Sequence, residues 1–412
     1  MEKQQGKTPR IRFPEYKDAW EHKKLSDLLY EAKKRNEDLK FGKDEVLSVS
    51  GELGIVNQIE HLGRSYAGES VHNYGVVETG DIVYTKSPLK VNPFGIIKLN
   101  KGKAGIVSTL YAVYTVNSNT AYGPFIDYYF SLDANTKRYL RPLVKKGAKN
   151  DMKINNAYVL HDRIFVPTIN EQTRIASFFT VLDNKIAQLK QKKALLEQYK
   201  KGLMQKIFSQ ELRFKDDTST TLSAGNGNEF PKWEKKKLGK VAEINPKSEK
   251  LPNTFIYIDL ESVVQGRLTK EDRINKSEAP SRAQRLLKKN DILFQMVRPY
   301  QKNNYFFDRD EKDFVASTGY AQIRTSGNSE FLFQFLHEGT FVRKVIEKCT
   351  GTGYPAINST DLSNIVISIP SEKEQNKIAN FLSAIDEKIN RTENQIQKTQ
   401  EWKKGLLQNM FV

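Results

Sequence analysis

Two stretches decide how this chain is built: Val166 to Phe208, VPTINEQTRIASFFTVLDNKIAQLKQKKALLEQYKKGLMQKIF, and Ile369 to Phe411, IPSEKEQNKIANFLSAIDEKINRTENQIQKTQEWKKGLLQNMF. They align without a gap at a constant offset of 203 residues. Shared positions include Pro167/Pro370, Glu171/Glu374, Gln172/Gln375, Ile175/Ile378, Asp183/Asp386, Lys185/Lys388, Gly202/Gly405, Leu203/Leu406 and Phe208/Phe411. A fixed offset held over so many positions implies an internal duplication. Each copy reads as one long helix, opened by a proline followed shortly by Glu-Gln, with no proline inside. In the first copy Leu182, Leu189, Leu196 and Leu203 recur every seventh residue, flanked by Ile186, which is the pattern of a coiled-coil seam. The second copy keeps the frame with Ile385, Ile389 and Leu406. It places Thr392 and Thr399 where the first has Leu189 and Leu196, and Ile396 where the first has Lys193. Apolar positions missing from one helix are partly present in the other, so the two are expected to pack together. Gly202 and Gly405 each cost roughly 1 kcal/mol in a helix interior relative to alanine, and their recurrence predicts a close backbone contact or a bend.

Working outward, the segments before the helices also match, more loosely. Phe13-Pro14, Trp20-Glu21 and Lys23-Lys24-Leu25 correspond to Phe230-Pro231, Trp233-Glu234 and Lys236-Lys237-Leu238. Gly80 to Tyr84 (GDIVY) parallels Asn290 to Phe294 (NDILF), each a turn followed by a short apolar strand. Ser108-Thr109 and Ser317-Thr318 are placed in comparable strands, and helices are expected over 124–144 and 329–349. Each domain then ends in a glycine loop and a strand leading to the helix proline. Between the halves, DDTSTTLSAGNGNE (216–229) has the composition of a flexible linker. The reading is therefore α+β, with a tail over 1–12, a first domain over 13–166, a first helix over 167–209, a linker over 210–229, a second domain over 230–369 and a second helix over 370–412.

Composition agrees with several folded domains. The 412 residues exceed the ~100 to 200 of one ordinary domain, and 38% hydrophobic with 10% aromatic residues is enough for packed cores. One cysteine, Cys349, excludes an intramolecular disulfide and suits a reducing compartment. The five histidines complete no metal-ligand spacing, and no apolar run approaches the ~18 residues of a membrane span. A cytoplasmic location is expected. The net charge of +17 attracts polyanions, nucleic acid above all.

The order domain, helix, linker, domain, helix resembles the specificity subunit of type I restriction-modification systems. The most specific parts of the resemblance are EQxxIA with the following LD/ID-x-K-I (Glu171 to Ile186, Glu374 to Ile389) and Y/W-K-K-G-L-x-Q (Tyr199 to Gln205, Trp402 to Gln408). The resemblance covers nearly the whole chain. It implies two target-recognition domains, helices paired antiparallel, binding to double-stranded DNA, and assembly with two methyltransferase subunits and motor-nuclease subunits. It also implies no cofactor on this chain, with S-adenosylmethionine, ATP and Mg on the partner subunits. Better repetition in the helices than in the domains suits helices that bind two copies of one partner while the domains read different bases, and dissimilar readers specify an asymmetric two-part target.

Candidate DNA contacts follow from residue chemistry, since Arg pairs with guanine, Asn with adenine, and Lys mainly holds phosphates. In the first domain these are Arg64, Lys86, Lys90, Lys145, Lys146, Lys149 and Lys153, at strand ends or in the basic loop KKGAKNDMK. In the second they are Arg282, Arg285, Arg298, Lys302, Asn303, Tyr320 and Tyr354. A catalytic reading finds little. Asn92-Pro93-Phe94 has a single proline where an adenine methyltransferase motif needs two, and there is no P-loop, GxGxxG, HExxH or deaminase signature. Asp81, Glu78 and Asp291 stand at strand-start turns, where aspartate serves the turn. A stand-alone regulator is the other rival, but regulators usually dimerise to obtain two half-sites and this chain already holds two readers.

Overall fold

A computed structural model describes residues 6–86, 92–146, 152–216, 222–224 and 230–412. The chain separates into two compact units. The first comprises residues 1–189 with 394–412, and the second residues 190–393. The duplicated helices span Ile169–Phe208 and Glu372–Met410, so each contributes one part to each unit.

The first unit holds a four-stranded antiparallel sheet in the order Leu29–Glu31, Tyr111–Val116, Ile82–Thr85, Ile97–Leu99. The second unit repeats it as Ala242–Ile244, Tyr320–Thr325, Asp291–Gln295, Tyr305–Phe307. A further antiparallel pair closes each unit at its helix, Glu21–Lys24 with Arg163–Val166 and Glu234–Lys237 with Val366–Ile369. Their registers agree, Glu21 facing Val166 as Glu234 faces Ile369. The turn before the third strand of each sheet is also the same. Gly80 and Asn290 take left-handed φ values of 96° and 70°, and the next aspartate accepts a backbone N–H three residues back, Glu78 N to Asp81 at 2.9 Å and Lys288 N to Asp291 at 2.7 Å. These carboxylates therefore serve turns. The units differ around this frame. The first adds two-stranded sheets, Leu47–Ser50 with Gly54–Asn57 and Gly75–Val77 with Gly105–Val107. The second adds a mixed sheet in the order Arg273–Asn275, Thr254–Ile258, Phe314–Ser317, Ala283–Leu286.

The helix segments run antiparallel within each unit. In the first, Leu182, Ile186, Leu189 and Ile396 are buried, and Leu182 shares a core with Leu407, Met410 and Phe411, Leu406 packing at its edge. In the second, Ile385 is buried beside Met204 and Ile207, while Leu203 and Ile389 are only partly covered and Leu196 is half-exposed. The seven-residue repeat thus marks the seam at the start of the first helix and drifts off it toward the end, as 3.6 residues per turn requires in a helix that is not supercoiled throughout. Polar contacts repeat with the duplication. Lys403 pairs with Asp183 in the first unit, and Lys200 with Asp386 at 2.7 Å in the second. Beside the latter, Lys193 pairs with Glu393 at 2.5 Å.

The strongest repeated feature lies where each helix begins. Glu171 is 1% exposed and is held bidentately by Arg12 (2.7 Å to each oxygen), with Trp20 Nε1 donating at 3.3 Å. Glu374, equally buried, is held by Arg213 (3.0 and 2.7 Å) and by Trp233 Nε1 at 3.0 Å. The neighbouring glutamine anchors the domain. Gln172 accepts from Tyr122 N (2.9 Å) and donates to Pro167 O, and Gln375 accepts from Asn328 N (3.4 Å) and donates to Pro370 O. Trp20 packs edge-on against Phe411 in the first unit and Trp233 against Phe208 in the second.

Several expectations are corrected. Residues 6–12 of the expected tail are not free, because Lys7 bridges to Trp20, Ile11 N donates to Asn409 O at 3.0 Å and Arg12 holds Glu171. The 210–229 linker contains an antiparallel pair, Leu212–Phe214 with Leu222–Ala224, and its Arg213 and Phe214 are buried because Glu374 and the second core need them. Each expected single helix is two, Gly123–Ser131 and Asp133–Leu140, then Ser329–Leu336 and Gly339–Glu347, broken by extended backbone at Leu132 and Glu338. Ser108 and Ser317–Thr318 lie at the turns joining strands rather than within comparable strands, Ser317 alone ending one. A Cβ at Gly202 or Gly405 would meet nothing within 4 Å, so no close backbone contact explains either glycine.

Removing one member of a buried, hydrogen-bonded ion pair strands the other and costs about 3–5 kcal/mol. Glu374→Ala is therefore expected to lower the urea midpoint of the full chain by a corresponding amount. Glu171→Ala should do the same through Arg12. A loss under about 1 kcal/mol would show that the carboxylate is not what holds the junction.

Candidate nucleic-acid interface

In the second unit, backbone hydrogen bonds gather four turns at one end of the sheet. Thr318 N donates to Arg282 O (2.9 Å), Met296 N to Gly319 O (3.1 Å), Ile357 N to Met296 O (3.1 Å) and Arg298 N to Pro355 O (2.7 Å). The glycine loop 350–356 is thereby bound to the loop that follows strand Asp291–Gln295. Arg298 has left-handed backbone (φ 54°, ψ 53°), and its guanidinium lies 4.2 Å from the centroid of the Tyr354 ring. Tyr354 is 69% exposed and Tyr300 50%. In the first unit the same bond recurs, Lys86 N donating to Leu110 O at 2.9 Å. There Lys86 Nζ donates to Asn156 Oδ1 at 3.2 Å, and Lys145–Lys146 pairs antiparallel with Met152–Lys153 as a two-stranded ribbon. The two units thus differ at equivalent points of the chain, a two-stranded backbone ribbon, Lys145–Lys146 with Met152–Lys153, in one and a glycine loop that sets Tyr354 beside Arg298 in the other.

The other expected contacts are spread more widely. Arg64 follows the short helix Gln58–Leu62, exposed, with its guanidinium 4.6 Å above Tyr66. Lys90 and Lys149 lie outside the described residues. Arg282 is exposed, whereas Arg285 is half-buried with its Nε lacking a hydrogen-bond partner, and burial pushes its pKa down. Asn303 is engaged internally, its Oδ1 accepting from Gln265 N (3.0 Å) and its N donating to Gln295 (3.1 Å). Two residues are corrected. Tyr320 is fully buried, its strand position facing the core and its hydroxyl donating to Asp259 O, so it cannot touch a base. Lys302 donates to His337 O at 2.8 Å, neutralising the end of helix Ser329–Leu336, and burial lowers its pKa. The turn at Ser317–Gly319 and Tyr300 adjoin this candidate interface and were not singled out in the sequence. The repeated Ser-Thr pair was the available signal for the turn.

No group of three His, Cys, Asp or Glu side chains among the described residues is arranged to hold a metal, and no helix there is long and apolar enough to cross a membrane. Asp81 is held above the usual carboxylate range chiefly by burial, and its remaining oxygen accepts from Thr115, a structural role.

The model for the type I restriction modification DNA specificity domain matches residues 17–198 and again 231–400. The chain belongs to that family. Among curated relatives, the HindI specificity subunit of Haemophilus influenzae is 28% identical over 166 residues, covering 39% of this chain and 36% of its own length. The MjaVIII specificity subunit of Methanocaldococcus jannaschii is 27% identical over 264 residues, 60% of each chain. The aligned part is thus between about a third and three fifths of these relatives. The crystal structure of the type I S subunit from M. genitalium superposes with a TM-score of 0.57 at 13% identity, covering 98% of this chain and 99% of that one. A chain from a structure of type I R-M complex assembly gives 0.52 at 17% identity, covering 95% and 96%. At such identities the likeness is one of fold, and it is the fold of specificity subunits, α+β with paired long helices.

A histidine behind this interface supplies a pH signature. His337 Nδ1–H donates to Phe333 O (2.8 Å) and Nε2 accepts from Asn304 Nδ2 (3.3 Å), a neutral ring, and burial pulls its pKa from 6.5 down to about 4. The unfolded chain takes up the proton more readily, so the contribution to stability is whole above pH ~6.5 and is lost as pH falls from there toward about 4. Thermal melts at about pH 7 and about pH 5 should show the wild type losing more stability on acidification than His337→Gln. Equal losses would contradict the neutral ring.

Proposed function

We propose that this chain is the DNA-recognition subunit of a cytoplasmic type I restriction-modification complex and that each unit reads one part of an asymmetric, two-part target. The observation that carries the reading is the repetition of one scaffold with two different loop sets at the same place. The same Glu–Arg–Trp junction, sheet order and strand register recur, while the ribbon Lys145–Lys146 with Met152–Lys153 stands where the second unit has the glycine loop with Tyr354 against Arg298. Two readers of unlike chemistry on one duplex specify unlike half-sites.

The helices supply the scaffold for two copies of one methyltransferase subunit. Support comes from exposed aromatic residues at duplicated positions, Tyr199 (56% exposed) and Trp402 (54%), each followed by Lys-Lys and a glycine over which a Cβ would meet no neighbour. Large exposed aromatics of this kind anchor protein interfaces. Methylation of adenine then belongs to the partners, which carry S-adenosylmethionine, while ATP and Mg serve motor-nuclease subunits, and this chain contributes double-stranded DNA recognition without a cofactor of its own.

Methylome sequencing of the host with and without this protein tests the reading. The expected result is a methylated-adenine motif in two dissimilar parts that vanishes when the protein is removed. An unchanged methylome would overturn it.

A further inference from the structure

We infer that Arg298 is a specificity-determining residue that reads a guanine in the half-site of the second unit; the inference rests on the DNA-recognition reading above. The backbone of Arg298 is left-handed although it is neither glycine nor asparagine and although it precedes Pro299. Such a conformation costs about 1–2 kcal/mol and persists only where surrounding structure imposes it, commonly at functional sites. Here the imposing contacts are explicit. Arg298 N donates to Pro355 O, Val297 bridges to Ala356, and the next turn, Pro299–Gln301, ends on another left-handed residue, Lys302, fastened to His337 O.

The side chain is equally constrained. Its guanidinium lies 4.2 Å from the centroid of the Tyr354 ring, and Nε is buried without a hydrogen-bond partner. Among the described residues the guanidinium has no ion pair and its two terminal nitrogens have no acceptor, yet these are not buried with Nε. A planar cation held over an aromatic ring loses little further freedom when it binds. What remains free is one edge with two parallel N–H directions, the geometry that pairs bidentately with O6 and N7 of guanine in the major groove. A phosphate also accepts from arginine, but it needs neither a fixed plane nor a fixed height, which a mobile lysine supplies as well. The costly turn and the tyrosine support are explained by base reading.

The test uses the full chain in its host complex. Methylome sequencing of the wild type first establishes a two-part motif; its absence would dispose of the DNA-recognition reading and not of the Arg298 assignment in particular. Given that motif, one part should contain an invariant G·C pair, and Arg298→Lys, which keeps the charge, should relax that single position by about 5- to 150-fold in preference while every other position holds. Tyr354→Leu, which removes the ring beneath the guanidinium, should relax the same position less. An Arg298→Lys methylome with the motif unchanged would overturn the inference. So would uniform weakening at all sequences with Arg298→Ala while Arg298→Lys retains full specificity, the mark of a phosphate contact. Thermal melts of each variant identify any that fails to fold, and Arg298→Gln, which keeps a hydrogen-bonding amide without the charge, then stands in for Arg298→Ala.

Discussion

A carboxylate out of water must be paired, and the rest of each unit is arranged around that requirement. Glu171 and Glu374 sit at the first turn of their helices, where the helix dipole favours a negative charge, but neither touches solvent. Each is satisfied only when an arginine from the segment preceding the domain and the indole of the domain's first strand region arrive together. One buried charge thus fixes the entry of the domain, its closing strand pair and the start of its helix. The adjacent glutamines extend the same junction to the helices at Tyr122 and Asn328. Asp183 and Asp386 do the corresponding service further along, each taking a lysine from the facing helix and a side chain from the domain, Tyr128 in one unit and Gln334 in the other.

With the frame anchored at its base, the far end of the sheet is free to diverge. The strand order and the bond from the residue after the third strand persist, Lys86 N to Leu110 O and Met296 N to Gly319 O. What hangs on them does not. One unit carries two small antiparallel sheets and the other a mixed sheet with a parallel pair. The added sheets pack on the shared one through cores of their own, Ile258 and Phe314 against Leu293 and Phe307 in the second unit and Leu47 and Val107 against Val83 and Val113 in the first, so each variable part comes with the apolar face that seats it.

The duplication, the α+β class and the pairing of the helices were legible because they rest on apolar periodicity and identical spacing. The Glu-Gln motif was legible as a motif but not as a junction. Its partners break the constant offset, since Arg12 precedes Trp20 by 8 positions and Arg213 precedes Trp233 by 20. The intervening polar run made Arg213 read as linker and the first residues as tail. Within the candidate interface, Arg298 and Tyr354 were legible by type, and their contact was not. Tyr320 was misread because an aromatic near a loop looks the same in sequence whether its strand points it inward or outward. Lys302 was misread because a helix end that needs a cation is invisible until the helix has been broken at His337 and Glu338.

The central claim is that one anchored frame carries interchangeable readers. The most direct measurement is the methylated target of a chain in which residues 234–369 are replaced by a second copy of 21–166, joined at the equivalent strand ends. The account predicts a target whose two parts are the same, each matching the part read by the first unit in the unaltered chain. Persistence of the original second part would contradict it, since recognition would then reside outside the reader that was exchanged.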